Sequence, residues 1–101
     1  MTQPIQTAGE DDYGTNMVAL VTEIARALVD TPESVSVEAI QEGDGTVLRL
    51  RVAASDIGKV IGKQGRTARS LRTILAAASM KLRHRFSLDI VEEEDIKGRD
   101  A

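Results

Sequence analysis

The stretch Ile57-Gly58-Lys59-Val60-Ile61-Gly62-Lys63-Gln64-Gly65-Arg66 decides the reading of this chain. An apolar, glycine-punctuated turn of helix runs into a Gly-x-x-Gly loop, and a second helix opens at once with arginine. Glycine at both ends of a four-residue loop lets the main chain turn without Cβ collisions, so a sugar-phosphate backbone can lie against its amides. Lys63 and Gln64 project between the two glycines as donors. The helix starting near Arg66 adds unsatisfied N–H groups and the positive end of its dipole, both favourable to phosphate.

Other glycine motifs fail on spacing. A P-loop needs Gly-x-x-x-x-Gly-Lys-Ser/Thr, whereas three residues separate Gly58 from Gly62 and Gln64 stands where the magnesium-binding hydroxyl would be. The dinucleotide fingerprint Gly-x-Gly-x-x-Gly fails because residue 60 is valine. Two glycine caps in a plain helix-loop-helix would account for Gly62 and Gly65, but not for Lys59, Lys63, Arg66, Arg69 and Arg72 around them.

Charge is sorted along the chain. The net charge of −3 hides three blocks: residues 1–45 hold nine acids and one base, residues 46–88 ten bases and one acid, and residues 89–101 six acids and two bases. The basic block centres on the Gly-x-x-Gly loop and gives a local footprint for a polyanion. At 101 residues the chain is expected to form one small domain. It has no cysteine, which excludes disulfides, thiolate metal sites and a cysteine nucleophile, and fits a reducing compartment. No signal-peptide pattern opens the chain and no run approaches the ~20 apolar residues of a membrane span, so a soluble, cytoplasmic protein is expected.

Residues 1–15 lack an apolar period and read as a flexible acidic leader. From Asn16, a suitable helix cap, Met17, Leu20, Val21, Ile24 and Leu28 recur at helical spacing until Thr31-Pro32. Val35, Val37 and Ala39 alternate with polar residues, Glu42-Gly43-Asp44-Gly45 makes a turn, and Leu48, Leu50 and Val52 alternate with Arg49 and Arg51, giving an antiparallel hairpin. Ser55 or Asp56 can cap a short helix through Ile61. A longer helix follows from about Arg66, with Ala68, Leu71, Leu75, Ala78 and Leu82 inward. Phe86, Leu88 and Ile90 mark a third strand, and residues 93–101 form an acidic tail. The order helix, strand, strand, helix, helix, strand predicts an α+β fold, a three-stranded sheet packed against three helices, over residues 16–92.

The pattern at 57–66, preceded by a helix and a hairpin and followed by one helix and one strand, resembles a KH domain of type II. Helix one, including Ile24-Ala25-Arg26-Ala27-Leu28-Val29-Asp30, and coverage of most of the chain by one domain narrow the likeness to the KhpA family of small, single-KH bacterial RNA-binding proteins. The resemblance implies a narrow groove holding about four nucleotides of single-stranded RNA. Gly62, Lys63, Gln64 and Gly65 would then contact the backbone. Ile57, Gly58 and Ile61 would offer an apolar wall to the bases, Arg66 and Arg69 would flank the loop, and the strand from Arg85 to Ile90 would form the opposite side. It further implies a homodimer and pairing with a larger KH-domain RNA-binding protein, with Ala76 to Met80 as the candidate contact. Plain core packing explains that patch equally.

Composition bears on the mode of binding. Tyr13 and Phe86 are the only Tyr, Phe or Trp residues, so the aromatic platforms of RRM and many OB-fold binders are excluded. Ile57, Val60 and Ile61 cannot all face one groove, because neighbours on a helix lie about 100° apart; Val60 is assigned to the core. Arg49 and Arg51 read as solubilising strand charges, and Lys81, Arg83, His84 and Arg85 as a basic connection that either meets a longer strand or is simply solvated. No enzyme, cofactor, metal site or small-molecule substrate is expected, since the single histidine, His84, has no acid at a useful spacing. The functional expectation is a non-catalytic RNA chaperone or post-transcriptional regulator. A protein-interaction adaptor on the same scaffold and a single-stranded DNA binder are the alternatives.

Overall fold

The computed structural model describes residues 9–93, with side chains from residue 14 onward. The expected leader falls outside this range at residues 1–8, and the tail from residue 94. Six main elements follow one another: α1 (Gly9–Leu28), β1 (Ser36–Glu42), β2 (Gly45–Val52), α2 (Ile57–Ile61), α3 (Arg66–Leu82) and β3 (Arg85–Glu92). Short 3-10 turns cover Pro32–Ser34, Ala54–Asp56 and Lys63–Gly65. The α-β-β-α-α-β order and the two-layer α+β architecture agree with the sequence reading.

β1 and β2 pair antiparallel from Ser36↔Arg51 to Glu42↔Gly45, so a two-residue turn joins them. Gly43 stands first in that turn with φ of 62°, the position where a tight hairpin demands positive φ. β3 joins the other side of β2 in parallel, from Gly45↔Arg85 to Val52↔Glu92, giving the sheet order β1-β2-β3. A parallel neighbour needs a long crossover. Here α2, the loop and α3 make it.

Helices cover one face of the sheet. α1 packs over β1 and β2, α3 over β3, and α2 wedges against α3 and the end of α1. Leu48, Leu50, Val52, Val60, Val21 and Leu75 fill the centre, each less than 3% exposed. Val60 is therefore core, as its helical phase required, while Ile57 and Ile61 remain half-buried. The opposite sheet face is open. Its charges neutralise one another: Arg49 bonds Asp89 at 3.1 Å and Arg51 bonds Glu38 at 3.3 Å.

Two features differ from the sequence reading. The first helix begins at Gly9, so residues 9–15 are helical and Asn16 lies inside the helix rather than at its cap. Asp56 does not cap α2 through its side chain. Its carboxylate, 1% exposed, turns to the end of α1 and accepts the backbone N–H groups of Asp30 (3.2 Å) and Thr31 (2.9 Å). Burying a carboxylate is costly unless it is hydrogen-bonded and paired. These two donors, with Lys59 Nζ at 3.8 Å, meet that need. The corner between α1 and α2 is thereby tied from inside. Among the described residues no helix is long and apolar enough to cross a membrane.

Candidate nucleic-acid interface

The loop is built by positive φ angles. Gly62 ends α2 at φ 80°, ψ 169°, and its N–H donates to the Gly58 carbonyl at 2.8 Å. Gly65 N–H then donates to the Gly62 carbonyl at 3.0 Å, closing a turn over Lys63 and Gln64. Gln64 (φ 56°) and Gly65 (φ 73°) both sit in the left-handed region. A Cβ at Gly62 would meet Thr67, with Oγ1 at 2.3 Å, so close packing as well as backbone angle requires glycine there. At Gly65 the space is open and only the angle argues for glycine. α3 starts at Arg66 immediately beyond.

The sequence-derived residues fall together around this turn. Lys63, Gln64, Arg66 and Arg69 are exposed, Gly62 and Gly65 half-buried. Ile57, Gly58 and Ile61 lie on α2 just before the loop, and a Cβ at Gly58 would meet nothing within 4 Å. Charge pairing separates the basic residues into two groups. Arg49, Arg51, Lys59 and Arg85 have acidic partners, whereas Lys63, Arg66 and Arg69 form no ion pair among the described residues. Lys59 is the departure from expectation, since Asp30 holds its Nζ at 3.4 Å and draws it toward the α1 corner.

Arg72 also does something the sequence did not show: its Nη2 donates to the Leu88 carbonyl at 3.3 Å. That contact covers part of the free edge of β3. The Glu93 N–H donates to the Val52 carbonyl, so residue 93 points toward β2 and, by strand alternation, residues 92, 90, 88 and 86 point away from it. α3 covers this free edge unevenly. Ser79 Oγ accepts the Phe86 N–H at 2.9 Å and Arg72 takes the Leu88 carbonyl. Among the described residues nothing reaches the backbone of Ile90, at the end of the edge next to α2. The uncovered part of the predicted Arg85–Ile90 span is therefore its end, at Ile90.

At the other end of α3 the expected solvated His84 is half-buried. Its ring lies 4.8 Å from that of Phe86, and its Nε2 is 2.8 Å from Thr46 Oγ1. A cavity of about 920 Å³ opens beside it, between the start of α1 and the end of α3, away from the glycine loop. Among the described residues no group of three or more His, Asp or Glu could hold a metal. Lys81, Arg83 and Arg85 are exposed there. So are Ala76, Ala77 and Met80 on α3, Met80 at 81%, which removes core packing as the explanation of most of that patch.

Residues 18–90 match the family model described as KhpA/KhpB, KH domain. The chain belongs to this KH-domain family. It is 41% identical over 81 residues to the RNA-binding protein KhpA of Borreliella burgdorferi, covering 80% of this chain and 98% of that one. The KhpA of Halalkalibacterium halodurans is 47% identical over 76 residues, covering 75% and 100%. That of Treponema pallidum is 50% identical over 74 residues, covering 72% and 91%. Among solved structures, Era in complex with MgGDPNP and nucleotides 1506–1542 of 16S ribosomal RNA superposes with a TM-score of 0.57. That likeness, at 16% identity over 98% of this chain and 38% of Era, concerns the fold. The turn at Gly62–Gly65 lies within the matched residues.

Proposed function

We propose that this KH-domain protein binds single-stranded RNA without catalysis, gripping about four nucleotides in the groove between the Gly62–Gly65 loop and the open end of the β3 edge. The observation that carries the reading is a turn bounded by two positive-φ glycines, Gly62 packed against Thr67, that carries Lys63 and Gln64 and is flanked by Arg66 and Arg69, with none of these cations in an ion pair among the described residues. The loop amides and the start of α3 favour phosphate. Ile57, Gly58 and Ile61 give the bases an apolar wall that a Cβ at residue 58 would crowd. The KhpA relatives are named RNA-binding proteins, which supports RNA over DNA as the ligand.

A groove of this length with no aromatic platform gives modest affinity, and joining a second binding unit raises it. Ile74 and Met80, 47% and 81% exposed, with Ala77 between them, form an apolar strip on α3 that suits a second copy or a larger KH protein. Action as an RNA chaperone or post-transcriptional regulator in the cytoplasm, together with such a partner, follows from this reading.

The test is fluorescence-anisotropy titration of a labelled, mixed-sequence single-stranded RNA, and of its DNA counterpart, at low and physiological salt. The parent is compared with a Lys63→Asp/Gln64→Asp double variant. Aspartate tolerates the left-handed conformation of residue 64, so the loop survives while its charge inverts. Loss of binding in the variant supports the clamp. Equal binding by both proteins, or none by either, overturns it and moves the function to the α3 strip as an adaptor surface.

A further inference from the structure

The loop grips backbone, and nothing in it distinguishes one base from another. The free edge of β3 supplies what is missing. Ser79 and Arg72 both reach that edge from α3, but they differ in kind. Ser79 is half-buried, and its hydroxyl also bonds the Leu75 carbonyl at 2.8 Å, so its hydrogen is engaged inside the fold. Arg72 is exposed and has a single anchoring bond, Nη2 to the Leu88 carbonyl at 3.3 Å. Its remaining guanidinium hydrogens have no partner among the described residues. One anchored corner restrains a planar fork and leaves its other donors free to pair with an incoming group.

Position agrees with this role. Arg72 lies seven residues beyond Gly65 on α3, about 10 Å along the helix, within reach of a strand of about four nucleotides held at the loop. Of the cations outside the clamp, Lys59 is held by Asp30, Arg49 and Arg51 lie on the opposite face of the sheet, Arg85 pairs with Asp44, and Lys81 and Arg83 lie at the far end of α3.

Resting on the RNA-binding reading above, we propose that Arg72 is the residue of this domain that sets base preference, and that it selects a base with two adjacent acceptors. Guanine offers O6 beside N7 and cytosine O2 beside N3, whereas the edges of adenine and uracil alternate acceptors with donors. A guanidinium fork pairs with two neighbouring acceptors and is left half-satisfied by an alternating edge. Arg72 also ends the groove, because its hold on Leu88 closes the edge on the Leu88 side of Ile90.

The test compares labelled octauridylate with a set of octauridylates carrying a single guanosine or cytidine at each position, titrated against the parent, Arg72→Lys and Arg72→Gln. Both variants keep a donor for the Leu88 carbonyl, and thermal unfolding of each reports whether the fold is intact. The parent is expected to favour the best guanosine or cytidine probe over octauridylate by about ten-fold. Arg72→Lys, which keeps the charge, is expected to bind octauridylate within about two-fold of the parent and to lose the preference; Arg72→Gln loses it too. A parent without preference, or a preference that persists in both folded variants, overturns the assignment while leaving the clamp intact. A parent that binds none of the probes, or equal binding by the Lys63→Asp/Gln64→Asp protein, overturns the clamp and this inference with it.

Discussion

Three glycines around the loop carry three different obligations, and substitution separates them. Gly62→Ala meets both a positive φ and Thr67, so it is expected to cost about 2–4 kcal/mol in urea unfolding. Gly65→Ala meets open space at positive φ and should cost about 1–2 kcal/mol. Gly58 is helical with nothing near its missing Cβ, and alanine there should stabilise by about 0.5–1 kcal/mol. The same Gly58→Ala is expected to weaken RNA binding in an anisotropy titration, because the methyl group occupies the wall proposed for the bases. Stability and binding moving in opposite directions would mark that residue as kept for its ligand. Gln64 tells a related story, since a non-glycine residue in the left-handed region is uncommon; its side-chain amide is the compensating gain in a loop read as a phosphate clamp.

Between elements, two side chains act as fasteners. Removing the buried Asp56 carboxylate leaves the Asp30 and Thr31 N–H groups without their acceptor, so Asp56→Ala should lower unfolding free energy by about 2–4 kcal/mol. Ser79→Ala deprives the Phe86 N–H of its partner and should cost about 1–2 kcal/mol, again by chemical denaturation. Neither fastener was legible in the chain, because each joins residues whose meeting depends on the finished fold. Asp56 looked like a helix cap since caps are local and Asp30 is 26 residues away. The inward faces of α3 and the strands were legible, as Leu71, Leu75, Leu48 and Leu50 repeat at helical or strand spacing. Ala25, 1% exposed, escaped notice because alanine contributes little to an apolar period. The start of α1 escaped for another reason. Acidic residues suit the positive end of a helix dipole, so Glu10-Asp11-Asp12 reads as a helix start once an apolar period is no longer demanded of it. A tight turn at Gly62–Gly65 was legible from its two glycines between two predicted helices, whereas the uneven cover of the β3 edge needed the pairing of β3 with β2.

For the molecule as a whole, the sorting of charge along the chain becomes a sorting in space. The sheet face carries Arg49 and Arg51 already paired with Asp89 and Glu38, while Lys63 on the loop and Arg66 and Arg69 at the start of α3 form no ion pair among the described residues. Salt titration should expose the difference. Replacing Lys63, Arg66 or Arg69 by alanine is expected to reduce the slope of log affinity against log salt by about 0.7 for each lost phosphate contact, while Arg49→Ala and Arg51→Ala leave it unchanged. The parallel pairing of β2 with β3 has a consequence in time. The loop lies within the crossover, so a growing chain makes Gly62–Gly65 before it makes the strand that completes the site. Long-range pairings of this kind form late and slowly, and synthesis presents the chain from its amino end. A nascent protein therefore carries the loop before it has the groove proposed for RNA, and the proposed competence to hold a nucleic acid arrives with the docking of β3.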